Sequence, residues 1–427
     1  MKVSIFVSLC LLISILFSEP GDLLWRYRTA NAVFSSPCLY EDALYIGSCD
    51  TYVYSLYIND GSLKWKYKTG KDVYSTPFIE GGVTYIGSKD SYLYAINNSD
   101  GSLKWKFATN SSISSSPCVS KGLVYVGCDI DEQDHGYLYA IDITNGKLIW
   151  RFGAKNNVES PSISEGIVYF GSWDWFLYAL NASNGSSKWK YQASGFVITK
   201  PYIKDGVVYF GTYDNHSVNA INSSDGSLKW QYKTDNYITS SPLVVDNVVY
   251  IGSEDNYIYA LNASDGFLKW KYLTDGAISY SSPFVTDGIL YIGSLDCKIY
   301  ALNTEDGSLK WKYQTEKAVR SSPYASKGKV YCGSYDYYLY AIETYKDGFK
   351  QTKSATRLPS KSFSISPNPF STRLVVSLPS SGTIYSLTGQ LIMKLDKGKH
   401  SIDTSKWREG VYIIKSASEN RRIIKLK

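Results

Sequence analysis

ALNASDGFLKWKY (Ala260 to Tyr272), followed by SSP (Ser281 to Pro283) and YIGS (Tyr291 to Ser294), is the fullest copy of a set of words that recurs along the chain. Its Trp270 is one of eight tryptophans, Trp25, Trp65, Trp105, Trp150, Trp189, Trp230, Trp270 and Trp311, spaced 40, 40, 45, 39, 41, 40 and 41 residues apart. A period near 40 with several short strands per unit is the signature of a β-propeller. In the copy around residue 250 the four strands read ITSSPLVV, NVVYIGS, NYIYALN and GFLKWKYLT. The last two alternate apolar with polar or small residues, as half-buried antiparallel strands do. The Asp-Gly pair between the third and fourth strands supplies turn-compatible backbone angles, and Gly61, Gly101, Gly146, Gly185, Gly226 and Gly307 repeat it. Each Trp then lies on an outer strand, where it can cover the edge between neighbouring blades as a structural docking residue.

Trp25 sits in GDLLWRY with no YALN word before it, and YLYAIE (Tyr338 to Glu343) has no Trp strand after it. The N-terminal strand is therefore expected to complete the last blade and remove an open sheet edge. Eight SSP-like prolines, from Pro37 to Pro323, and eight strand-end glycines, from Gly47 to Gly333, agree with eight blades. The fold class is all-β: an eight-bladed propeller over residues 19–345 closed by the N-terminal strand, then a small C-terminal β-sandwich.

The 427 residues carry a net charge of +6, but residues 363–427 hold eleven Lys/Arg against four Asp/Glu, so the propeller is close to neutral. Its lysines are scattered one or two per repeat beside the Trp strand, which excludes a nucleic-acid reader with a clustered basic face. Residues 1–18, MKVSIFVSLCLLISILFS, read as a secretory signal peptide: one Lys, an apolar run too short to span a bilayer, then small residues. No other stretch is apolar enough to span a membrane. Six cysteines follow it, Cys38, Cys49, Cys118, Cys128, Cys297 and Cys332, at different places in the repeat and with no CxxC; they read as small buried side chains, and their pairing is open.

Chemistry-bearing motifs are sparse. His135, His216 and His400 are too dispersed for a shared metal, and no GxSxG, GxxxxGK[ST] or HExxH word occurs. An Asp follows each strand-end Gly closely, at Asp50, Asp90, Asp129, Asp174, Asp214, Asp255, Asp296 and Asp336. The Gly-Ser-x-Asp-x-Tyr pattern reads as turn chemistry, the carboxylate bonding local amides. The departures from the repeat are the candidate ligand site. The third repeat is five residues longer and holds CDIDEQDHG, with Asp129, Asp131, Glu132, Asp134 and His135; the fourth has GSWDWF, with Trp173 and Trp175; the fifth has GTYDNHS, with Tyr213 and His216. Adjacent repeats are adjacent blades, so these loops share one rim, where aromatic rings beside carboxylates suit a glycan or a peptide. The acidic loop lacks the Gly and Glu of an EF-hand, so no metal is expected. Glu159, Lys200 and Arg320 replace small residues on inner strands and are expected to colour the central channel.

The words ALNASDGFLKW and ALNTEDGSLKW (Ala301 to Trp311) resemble the tryptophan-docking motif of the pyrroloquinoline-quinone-like (PQQ-like) repeat propellers, in register over residues 20–345. That family includes quinone-dependent dehydrogenases and cofactor-free scaffolds of outer-membrane assembly. The dehydrogenases usually add a vicinal cysteine pair, a calcium site and long loops; with no Cys-Cys and near-minimal blades, no PQQ or other cofactor is expected. The repeat alone does not choose between the two; taken with the aromatic rim, the chain reads as a binding or interaction module, with a quinone-dependent dehydrogenase or another propeller enzyme as the alternative.

Residues 346–362 read as a linker. After it SPNPF (Ser366 to Phe370), YSLTGQLI (Tyr385 to Ile392), REGVYIIK (Arg408 to Lys415) and IIKLK (Ile423 to Lys427) resemble, in order, the C-terminal sorting domain of type IX secretion cargo. That resemblance implies a partner in the secretion machinery, passage through the periplasm, and a secreted or outer-membrane-surface destination.

Overall fold

The computed structural model describes residues 19–344 and, towards the C-terminus, 364–366, 373–378, 382–386, 391–396, 398–406, 410–416 and 420–425. The expected signal peptide and linker lie outside the described residues. The chain divides into two compact units, Met1–Asp347 and Gly348–Lys427.

The first unit is a ring of eight four-stranded antiparallel sheets, and no helix occurs among the described residues. In the sixth blade the strands, from the channel outward, are Leu243–Val245, Val248–Gly252, Tyr257–Asn262 and Leu268–Leu273. ITSSPLVV is thus strand only in its last residues. Pro242 has no N–H to give a ladder, and the serines before it bond sideways: Ser240 Oγ accepts the Gly252 N–H at 3.1 Å, while the Ser241 N–H donates to Ser282 Oγ of the next blade at 2.9 Å. The third strand also differs from expectation. It is buried over its whole central length rather than alternately, because each face of a blade packs on a neighbouring blade. The outermost strand does alternate, with Lys269 and Lys271 outward.

That outer strand carries a bulge. Ala260 pairs with Trp270 but Leu261 with Leu268, leaving Lys269 unopposed, and the same shift recurs in every blade. Each Trp leans onto the next blade. Trp230 Nε1 donates to the Ala263 carbonyl at 2.9 Å, and its ring lies on Gly266, where a Cβ would come within 2.6 Å of it. Gly266 also has φ +77°, so two demands meet at one glycine. Seven of the eight indoles bond a carbonyl in the next blade at 2.9–3.2 Å. The eighth, Trp311, docks beside Gly21 at the seam, and its buried Nε1 finds no acceptor among the described residues.

Closure follows the expected path. Leu23–Arg28 pairs antiparallel with Tyr338–Glu343, from Leu23 opposite Ile342 to Arg28 opposite Tyr338, so the eighth blade is built from both ends of the unit. The six cysteines are free thiols, with Cys49, Cys118, Cys128 and Cys332 buried.

The second unit holds two antiparallel sheets. One orders Ser364–Ser366, Arg373–Leu378 and Gly398–Asp403; the other orders Leu391–Leu395, Gly382–Ser386, Gly410–Ser416 and Asn420–Lys425. Ile384, Leu395 and Ile402 are buried in it.

Candidate ligand site at the channel mouth

Two positions in each blade meet at one end of the channel: the residue between Gly-Ser and Asp in the turn from the second to the third strand, and the residue that precedes the SSP word. Backbone bonds fix the first. Trp173, Tyr213 and Glu254 donate their N–H groups to the carbonyls of Asn157, Phe196 and Tyr237 at 3.1, 3.0 and 2.9 Å, and the other blades repeat the bond. With the main chain held this way, the side chain is free to vary, and it does: Cys49, Lys89, Asp129, Trp173, Tyr213, Glu254, Leu295 and Tyr335.

Asp129 is therefore not the turn carboxylate of its blade. The expected ring of turn aspartates holds at Asp50, Asp90, Asp174, Asp255, Asp296 and Asp336, each accepting an N–H two residues on and the hydroxyl of a Tyr four residues on. In the third blade the Tyr139 hydroxyl bonds Asn110 instead, at 2.7 Å. One residue earlier in the turn frame, Asp129 faces the mouth, ion-paired to Lys89 at 2.9 Å and accepting from Ser112 and Ser114. Lys89 also donates to Ser114 Oγ and lies 5.3 Å from the Tyr74 ring centre.

The fourth blade has one residue fewer between Val158 and Pro161, and this delivers Glu159 to the mouth. Its N–H donates to the Gly171 carbonyl at 3.0 Å, where other blades use a hydroxyl on the Gly amide. Glu159 opens partly onto the channel yet is densely surrounded by protein. Burial, with a smaller push from Asp129, raises its carboxyl to about 7, against the opposing pull of the Trp173 hydrogen bond and Lys89. The Trp173 indole donates to Glu159 Oε1 at 2.6 Å. The seventh blade has one residue more, Tyr280, at φ +63° and half exposed. The Arg320 guanidinium stands 5.3 Å from both the Tyr280 and the Tyr335 ring centres, with its buried Nε unpartnered. Glu254 accepts from Ser279 and Thr239 at 2.9 and 3.2 Å.

The rings form two platforms on blades four to six. Phe196 stacks on Trp173 with centres 5.4 Å apart and meets Trp175 edge-on at 6.3 Å; Tyr237 stacks on Tyr213 at 4.0 Å and meets His216 edge-on at 5.0 Å. Trp175 is 45% exposed. The aromatic loop residues singled out in the sequence thus lie together, and the acidic loop adjoins them through the Ile130 N–H, which donates to Asn157 Oδ1 at 2.7 Å. Within that loop Asp131 caps the turn, accepting the N–H groups of Gln133 and His135; burial opposes the effect, but these bonds hold its carboxyl below the usual range. Glu132 and Asp134 are exposed, and His135 lies against Tyr137. Phe34, Tyr74, Phe196, Tyr237, Glu254, Tyr280 and Tyr335 were not singled out in the sequence; the signal for most of them is variability at two fixed places inside invariant words. Among the described residues no group of three or more His, Cys, Asp or Glu is placed to hold a metal ion.

The family model described as "Outer membrane protein assembly factor BamB" matches residues 13–152, 134–278 and 274–389, and that described as "Secretion system C-terminal sorting domain" matches 364–426. No curated protein matches the chain. Among solved structures, BamB from Moraxella catarrhalis is similar over 75% of this chain and 99% of its own, with TM-score 0.65 and 18% identity. The computationally designed Ika8 protein covers 76% and 100%, with TM-score 0.66 and 17% identity. The quinohemoprotein alcohol dehydrogenase ADHIIG from Pseudomonas putida HK5 covers 80% and 79%, with TM-score 0.63 and 16% identity. At such identities the likeness is one of fold. The sorting domain implies export to the cell surface or the medium and an interaction with the type IX secretion machinery. With its repeats matched over most of their length and closed into eight blades, the chain belongs to the BamB-like family of PQQ-like repeat propellers and ends in a secretion sorting domain.

Proposed function

We propose that this exported propeller is a carbohydrate-binding module whose ligand rests on the channel mouth, reached through the periplasm by way of an N-terminal signal peptide. The observation that carries the reading is the pairing of flat ring faces with hydrogen-bonding carboxylates on one end of the ring: Trp173 and Phe196 beside Glu159, and Tyr213 and Tyr237 beside Glu254. Ring faces stack on the apolar faces of sugars, while carboxylates accept from sugar hydroxyls and fix orientation. A glycan array probed with the full chain tests it. Binding that is lost in Trp173→Ala and in Tyr213→Ala supports the reading, whereas an empty array, or binding indifferent to both changes, contradicts it.

Glu159 favours one second reading, hydrolysis at the same mouth. A carboxyl poised near neutrality beside Asp129 in its ion pair with Lys89 has the asymmetry that acid–base chemistry needs. Release of reducing ends from an array-selected glycan, abolished by Glu159→Gln, would establish it.

A further inference from the structure

Beneath the mouth, the second residue of each SSP word links the blades in a circle. The N–H of Ser36 donates to Thr76 Oγ1 at 3.2 Å, that of Thr76 to Ser116 Oγ at 2.9 Å, and that of Ser116 to Ser160 Oγ at 2.8 Å. From the fifth blade the relay runs again, Lys200 to Ser241, Ser241 to Ser282, Ser282 to Ser322 and Ser322 back to Ser36, each at 2.9 Å. One link is missing. Lys200 stands where the other blades carry a hydroxyl, so the Ser160 N–H has no acceptor at that place. The seven hydroxyls each accept one N–H, and none donates its own proton to a protein acceptor among the described residues.

Lys200 points into the lumen. Its charge is felt by Cys118 on the third blade and by Cys38 on the first, across the channel from the fifth, and at both it counters part of the rise that burial imposes on the thiol. No carboxylate lies within ion-pair distance of its ammonium among the described residues, in contrast to Lys89 at the mouth. One layer of the channel therefore presents a cation and a circle of hydroxyl protons, without a balancing anion.

We propose that this layer binds a free inorganic oxyanion of phosphate or sulfate size, held by the Lys200 ammonium and by hydroxyls of the relay. Hydroxyls rotate to suit a guest, and a charge-assisted bond from the ammonium sets the sign of the guest they accept. The site is distinct from the mouth and does not depend on the carbohydrate reading.

Calorimetry and thermal melting of the full chain with sulfate or phosphate, against sodium chloride at matched ionic strength, test it. Saturable binding with a Kd of about 1 mM or tighter is expected, with a melting temperature that climbs as the anion is added. Lys200→Ser should weaken binding at least about tenfold while melting at or above the parent without anion, because the new hydroxyl supplies the missing link for Ser160. Lys200→Arg should keep the binding, and Lys200→Gln should lose it, so the result does not hang on one variant. No saturable binding to either anion, or undiminished binding in Lys200→Ser and Lys200→Gln, overturns the proposal.

Discussion

Glu159 ties the chemistry of the mouth to the stability of the ring. Its carboxyl ordinarily titrates near 4.5 and is pushed up to about 7, chiefly by burial. Between those values the folded chain keeps a proton that the unfolded chain has released. The stabilisation is thus fully present below about 4.5 and is lost as pH rises through about 7. Urea unfolding across this range should show stability falling by roughly 1–2 kcal/mol, discounted for channel water, and Glu159→Gln should remove that slope. A slope identical in the variant would contradict the placement of this carboxyl. At this scale the sequence was partly legible. Trp173, Trp175, Tyr213 and His216 stand out because they depart from a repeated word, and Glu159 and Arg320 because they replace small residues. Asp129 was misread, since a longer loop slides the apparent motif by one residue and only the backbone bond of Asp129 to the Ser112 carbonyl shows the true frame. The seven-link relay was hidden, because serine in SSP says nothing of which blade its hydroxyl serves.

The element that sets the repeat is the outer strand with its bulge and the turn glycine beneath the neighbouring indole. Gly266→Ala and Gly166→Ala both place a Cβ at φ +77°, but the first meets Trp230 at 2.6 Å and the second meets nothing within 4 Å. Gly266→Ala should cost about 2–4 kcal/mol and Gly166→Ala about 1, as read by denaturant midpoints. Equal losses would mean that indole docking adds nothing beyond the backbone angle. The docking words were readable from the Trp and Gly spacing alone. The continuous burial of the third strand was not, because its central Tyr looks half-polar in sequence while the ring of Tyr259 is buried in the cluster between two blades.

For the whole molecule, the eighth blade depends on a strand from the far end of the ring. Deleting residues 19–30 removes Leu23–Arg28, exposes the edge of Tyr338–Glu343 and should lower the melting temperature by several degrees; a truncated chain that melts within a degree or two of the parent would contradict closure. Removing residues 363–427 should leave a folded propeller that stays in the periplasm of a host with the type IX route, and surface display of the tailless chain would refute the sorting role. Eight blades and their closure were legible because repeated words count themselves, whereas the mouth was legible only in part, because its members come from eight separate turns. The most direct test of the account is calorimetry with an array-selected glycan on the parent, Trp173→Ala and, at the far end of the ring, Phe267→Ala, whose ring is 71% exposed. The account predicts a loss of about 1–3 kcal/mol for Trp173→Ala and none for Phe267→Ala, with the melting temperatures of both close to the parent. Equal affinity in all three proteins, or a Trp173→Ala protein that loses stability but not binding, would contradict it.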